Sequence, residues 1–123
     1  MPDFFIGTDI LSVPRIGKIL KSKNKNRFKT KIFTKKEIEF CDNKPQPMIH
    51  YAGRFAAKEA IKKAFLSSGI ISNIPYHSIE IINQEGGNPL VNIHSNSIGL
   101  STCKVSISHT EEFAVAFAFL TLS

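Results

Sequence analysis

Asp9, Glu59, Lys63 and His109 are the residues whose types and surroundings suggest chemistry. Glu59 lies in a helical stretch, residues 53–65, rich in Ala and Lys and free of Pro. Ala57, Ala60, Ile61, Ala64 and Phe65 form one apolar stripe along it. Arg54, Lys58 and Lys62 step by four along a flank and read as a basic edge. The side opposite the stripe carries Ala52, Phe55, Ala56, Glu59 and Lys63, so a carboxylate sits among small and apolar residues. A helix apolar on two sides is packed on two sides, and a Glu held there loses water and needs a counter-charge. Lys63, one turn on, stands in the favourable Glu-then-Lys order. That spacing fits a plain surface ion pair; it fits equally a Glu59 that binds a cation beside a Lys63 that binds an anion. Asp9 is a charge near the end of an apolar strand, where a helix N-cap is the ordinary explanation, although Ser12 can cap as well. His109 ends an alternating strand, a place where a histidine is commonly structural or solvent-facing.

The elements that must position these side chains follow from periodicity and turn chemistry. Residues 4–10 read as a strand, apolar enough to be buried on both faces. Pro14 fits a first helical turn, and residues 15–21 form a short helix with Ile16, Ile19 and Leu20 on one side and Arg15, Lys18 and Lys21 on the other. Residues 22–26 form a turn, and 27–32 a second helical segment. Thr34 and Glu37 make a capping-box pattern that starts a helix over 35–41. After a loop with two prolines, the central helix runs from about Met48 to a left-handed stop at Gly69. Residues 70–76 read as irregular. Strands follow at 78–83, 90–94, 104–109 and 113–122, with a Gly86-Gly87 turn after the first and a loop or single helical turn at 95–100. A strand, then helices, then an antiparallel set of strands is an α+β pattern: an antiparallel sheet packed on a long central helix, in one domain spanning 1–123.

The chain has 123 residues, 42% of them hydrophobic, so it is a folded domain and not a disordered tail. No apolar run is long enough to span a bilayer, and no secretory signal is visible at the start, so no membrane role is expected. Cys41 and Cys103 lack metal-type spacing, and two such thiols suggest a reducing cytoplasm. The net charge of +6 is localised: ten basic residues and no acid lie between Arg15 and Lys36. The rest of the chain, six basic residues against ten acids, is −4. Such a patch attracts an acidic partner, either nucleic acid or an acidic protein surface.

Three stretches stand together: Gly7-Thr8-Asp9-Ile10, Arg54-Phe55-Ala56-Ala57-Lys58-Glu59-Ala60 and Ser106-Ile107-Ser108-His109-Thr110, with Arg15 six residues after Asp9. Over nearly its whole length the chain resembles the holo-acyl-carrier-protein synthase group of 4′-phosphopantetheinyl transferases. The resemblance implies transfer of the phosphopantetheine arm of coenzyme A to a serine of an acidic acyl carrier protein, in the fatty acid pathway, with release of adenosine 3′,5′-bisphosphate. It implies Mg²⁺ on Asp9 and Glu59, with Lys63 neutralising phosphate charge and Glu59 or a metal-held water as general base. It implies coenzyme A contacts at Arg54, Lys63, Gly87, Pro89 and His109. It implies docking of the carrier on Arg15, extended by Lys18, Lys21 and Lys25, and a homotrimer with sites at subunit contacts, for which residues 113–119 are one candidate and ordinary core the other. Two departures stand out. Asn88 replaces a lysine that the family carries in the glycine turn, and Leu66-Ser67-Ser68-Gly69 replaces a shorter glycine-rich segment that would cradle a phosphate.

Two other readings compete. Ten basic residues with Phe28 and Phe33 interleaved suggest a small RNA-binding domain, though that leaves Asp9 and Glu59 without a purpose. A relative that loads a peptide-synthesis carrier domain would share every motif above.

Overall fold

The computed structural model describes residues 3–69, 73–94 and 100–122. The expectations for residues 70–72 and 95–99 lie outside the described residues. Strand β1 (Phe4–Ser12) leads into α1 (Val13–Leu20), α2 (Lys25–Ile32), α3 (Lys35–Asp42) and the long α4 (Pro47–Ser68). A single 3-10 turn (Tyr76–Ser78) then precedes β2 (Ile79–Asn83), β3 (Pro89–Ile93), β4 (Leu100–His109) and β5 (Phe113–Leu122). The α+β expectation holds: one antiparallel sheet has the order β1-β5-β4, and β2 and β3 form a separate antiparallel hairpin. Local signals act as read. Ser12 caps α1 by accepting from the Arg15 N–H at 3.3 Å, so Asp9 is left free of that duty. Thr34 and Glu37 close both halves of the capping box. Gly69 ends α4 at φ 74°, a backbone region open to glycine without strain. α2 begins at Lys25, two residues earlier than its apolar spacing shows, and β4 begins at Leu100.

The sheet has two unlike faces. Ala114, Ala116, Ala118 and Leu120 of β5 are buried, and Gly7 of β1 pairs beside them with Ala118. These small residues let α4 lie close on the sheet. A Cβ at Gly7 would stand 2.0 Å from the Ala60 carbonyl oxygen and 2.7 Å from the Ala64 nitrogen, so only glycine fits. The stripe Ala57, Ala60, Ile61, Ala64 and Phe65 packs into this core together with Ile79 and Ile81. On the far side of α4, Ala52 and Tyr51 join Val13, Ile16, Ile32, Phe33 and Cys41 in a second cluster. The central helix is thus packed on two sides, as its composition demands.

The other sheet face is open. Phe4 (51% exposed), Ile6 (51%) and Ile10 (62%) project from β1, and Phe113, Val115 and Phe117 from β5. The expectation that β1 is buried on both faces is corrected: apolar density marked its outer side chains, but nothing among the described residues covers them. The basic edge of α4 is corrected too. Arg54 and Lys58 are buried and Lys62 is half-buried, because α3 and the β2–β3 hairpin pack against that flank.

Candidate active site

β1 presents Asp9 on the face that also carries Gly7, toward α4. Because Gly7 brings helix and strand into contact, a lysine on α4 can reach the Asp9 carboxylate. Lys63 does so: its Nζ lies 3.0 Å from Asp9 Oδ1 and donates to the Thr8 carbonyl at 3.0 Å. The i,i+4 pairing of Glu59 with Lys63 is therefore corrected, since the lysine turns to the strand. The second Asp9 oxygen, Oδ2, is buried and has no hydrogen-bond partner. A buried carboxylate oxygen left bare is costly unless a cation or donor meets it.

Glu59 is half-buried on the same helix, one turn before Lys63. Its Oε1 accepts a hydrogen bond from the Tyr76 hydroxyl. Burial, then the hydrogen bond to Glu59, push the Tyr76 hydroxyl up to about 12, so it remains a proton donor at neutral pH. The negative charges of Glu59 and Asp9 add to that upward shift. A hollow of about 480 Å³ opens beside Lys63, lined by Ile6, Gly7, Thr8 and Phe117. Among the described residues no three His, Cys, Asp or Glu side chains form a metal cluster. Two carboxylates with one bare oxygen suit Mg²⁺, which keeps water and phosphate oxygens in its remaining positions.

The other expected contacts form a second group. Arg54, from which Glu59 stands about 140° around the helix, donates from Nη2 to Asn83 Oδ1 at 2.5 Å. Asn83 in turn donates to the Gly87 carbonyl at 3.2 Å, and Gly87 turns the hairpin at φ 86° just before Pro89. The Arg54 guanidinium stacks on Phe40 at 3.8 Å, Phe40 meets His50 edge-on at 5.7 Å, and His50 faces His109 at 6.4 Å. Arg54 Nε is buried without a partner. Asn88 spends its amide within the turn, donating to Gln84 Oε1 at 2.7 Å. Arg54, Gly87, Pro89 and His109 are thus linked with one another through Asn83, Phe40 and His50, and among the described residues no hydrogen bond or ring contact ties them to Asp9, Glu59 and Lys63.

Arg15, Lys18, Lys21 and Lys25 are all exposed, on α1 and the start of α2. Of the aromatic residues between the basic ones, Phe33 is buried and Phe28 half-buried, in edge contact at 5.5 Å. The charge pattern missed the pair beneath this region. Lys58 Nζ meets Glu37 Oε1 at 2.6 Å with both side chains fully buried. Lys58 also donates to the Ile32 carbonyl at 2.8 Å and the Tyr76 carbonyl at 3.0 Å. Burial lowers the Lys58 pKa, and the Glu37 charge and hydrogen bond act against that shift. The sequence offered only a faint signal, a capping Glu and a lysine beside Ala57, with no hint that they meet.

A long helix on an antiparallel sheet, with a strand Asp and a helix Lys meeting at their contact and a helix Glu one turn before that lysine, defines a class. The chain belongs to the 4′-phosphopantetheinyl transferase superfamily, whose model matches residues 5–118. It is 44% identical over 115 residues to a holo-[acyl-carrier-protein] synthase of Chlorobaculum parvum, covering 94% of this chain and 96% of the relative. The fold matches the Helicobacter pylori holo-[acyl-carrier-protein] synthase in complex with coenzyme A, with TM-score 0.80, 32% identity and coverage of 94% and 98%. It also matches that of Bacillus anthracis in complex with CoA (3′,5′-ADP), with TM-score 0.77, 35% identity and coverage of 97% and 96%.

Proposed function

We propose that this chain transfers the 4′-phosphopantetheine moiety of coenzyme A to a serine hydroxyl of an apo acyl carrier protein, releasing adenosine 3′,5′-bisphosphate. The observation that carries the reading is the bare, buried Oδ2 of Asp9, whose other oxygen meets Lys63 of α4. Asp9 and Glu59 would hold Mg²⁺, which when bound draws off negative charge from the pyrophosphate as it builds. The serine oxygen forms a bond to the phosphorus that carries the pantetheine arm. The bond from that phosphorus to the departing adenylate phosphate breaks. The serine proton passes to the Glu59 carboxylate, directly or through a water. Lys63, half-exposed and lining the hollow, would neutralise the departing phosphate.

Arg54, Gly87, Pro89 and His109 would bind the nucleotide end of coenzyme A. Their separation from Asp9 within one chain supports a site completed by a neighbouring copy. The open sheet face supports the same view, since exposed Phe4, Ile6, Ile10, Phe113, Val115 and Phe117 form an apolar surface suited to a homotrimer. Arg15, Lys18, Lys21 and Lys25 would receive the acidic carrier, in the cytoplasm and in fatty acid biosynthesis. No helix among the described residues is long and apolar enough to cross a membrane. The RNA reading loses Phe33 to the core and assigns nothing to Asp9.

The test is mass spectrometry of apo acyl carrier protein, beside an apo peptide-synthesis carrier domain, after incubation with coenzyme A, Mg²⁺ and this chain. Gain of one phosphopantetheine on the acyl carrier protein, blocked by chelator, is the expected result. No gain on either carrier refutes the transferase reading, and gain on the peptide-synthesis carrier alone refutes the choice of acceptor.

A further inference from the structure

We propose that Tyr76 is a positioning residue for Glu59, holding one carboxylate oxygen so that the other is presented to the ion and the serine. The inference rests on the transferase reading above. Tyr76 opens the 3-10 turn that follows α4, and three different parts of the residue are engaged. Its carbonyl accepts from Lys58 at 3.0 Å. Its ring meets Phe55 edge-on at 5.8 Å and lies under the Lys62 ammonium at 3.9 Å. Its hydroxyl donates to Glu59 Oε1.

The anchor beneath is rigid. Lys58 is itself pinned by Glu37 at 2.6 Å and by the Ile32 carbonyl at 2.8 Å, with no exposure. Glu37 is fixed in turn by the Thr34 and Ile81 backbone N–H groups, each at 2.8 Å. A chain of strong contacts therefore runs from α3 through α4 to the tyrosine, and ends on the one catalytic carboxylate that has no salt-bridge partner among the described residues. A glutamate on a helix has three side-chain torsions free, and a half-buried one samples several rotamers. A single donor locked in place from below selects one of them. Asp9 needs no such device, because Lys63 already fixes its Oδ1.

Tyr76→Phe isolates the hydroxyl, since it keeps the ring contacts and leaves the Lys58 bond to the main chain intact. Mn²⁺ binding is read by electron paramagnetic resonance with coenzyme A present, against a coenzyme A blank. The variant should bind Mn²⁺ about 10–100-fold more weakly, the usual cost of losing a group that orients a metal ligand. Its kcat should fall over a similar range, while KM for coenzyme A stays within about twofold, because the nucleotide contacts lie elsewhere. In a Glu59→Gln background the same change should leave Mn²⁺ affinity where Glu59→Gln alone puts it. Unchanged Mn²⁺ affinity in Tyr76→Phe, or a full further loss in the Glu59→Gln background, overturns this inference alone. A wild-type chain that holds no Mn²⁺ overturns the metal reading and takes this inference with it.

Discussion

Two lysines of α4, five residues apart, each pair with a carboxylate from another element, and the two pairs are built to opposite ends. Glu37 and Lys58 are fully buried at 2.6 Å, and the partners around them are complete. Glu37 takes two backbone N–H groups as well as the ammonium, and Lys58 spends its remaining protons on two carbonyls. Asp9 and Lys63 meet at 3.0 Å with the lysine 51% exposed, and one Asp9 oxygen is buried with nothing to hold. The first pair is closed and organises packing between α3, α4 and the turn at Tyr76. The second is open, with one acceptor oxygen left unpaired. A carboxylate and an ammonium do structural work when both carboxylate oxygens have partners, and become available for chemistry when one does not.

Breaking the closed pair should have the largest effect on stability. Lys58→Met leaves Glu37 charged and buried, and should cost about 3–5 kcal/mol in urea unfolding, a large share of a typical total. A loss below about 1 kcal/mol would mean the pair is not closed. Asp9→Ala should do the reverse. Unfolding free energy should stay within about 1 kcal/mol, because a half-exposed pair contributes little. Phosphopantetheine transfer should fall by at least about 100-fold. Phe117→Lys probes the proposed subunit contact on the open sheet face: sedimentation should show monomer, against the trimer proposed for the parent chain, with transfer lost alongside. Retained trimer in that variant would move the subunit contact elsewhere.

The smallest effect is a pH signature of the closed region. Cys41 is buried there, and burial pushes its thiol from 9.0 up to about 12. The folded state therefore keeps the proton over a range where the unfolded chain has lost it. Stability from this group is whole below about pH 9 and declines as pH rises toward about 12. Urea midpoints measured from pH 8 to 11 should fall above about 9, and fall less in Cys41→Ala. At pH 8 the folded chain should resist alkylation at Cys41, read by peptide mass spectrometry.

Much of this was legible in the sequence where the signal is local. The capping box at Thr34 and Glu37, the Ser12 cap and the Gly69 stop are each written within four residues and form as read. The alternation of Ala114, Ala116 and Ala118 with Phe113, Val115 and Phe117 was on the page too, but which face α4 would cover was not, since both sets are apolar. The carboxylates were legible as charges out of place among apolar neighbours. Their partners were not. Lys63 turns to Asp9, 54 positions away, and away from Glu59 on its own helix. Lys58 reads as part of a basic flank until Glu37 arrives from α3. Tyr76 lies in an irregular connection with no periodicity to announce it. Partner choice across long loops depends on packing, and a helical wheel carries none of that information.

The central claim is that Asp9 and Glu59 share one ion. Crystals grown with Mn²⁺ and coenzyme A, measured for anomalous scattering at the manganese edge, test it directly. A single peak ligated by Asp9 Oδ2 and Glu59, bridging to the pyrophosphate, is the predicted result. A peak held by other residues, or none between the two carboxylates with coenzyme A in place, would contradict the account.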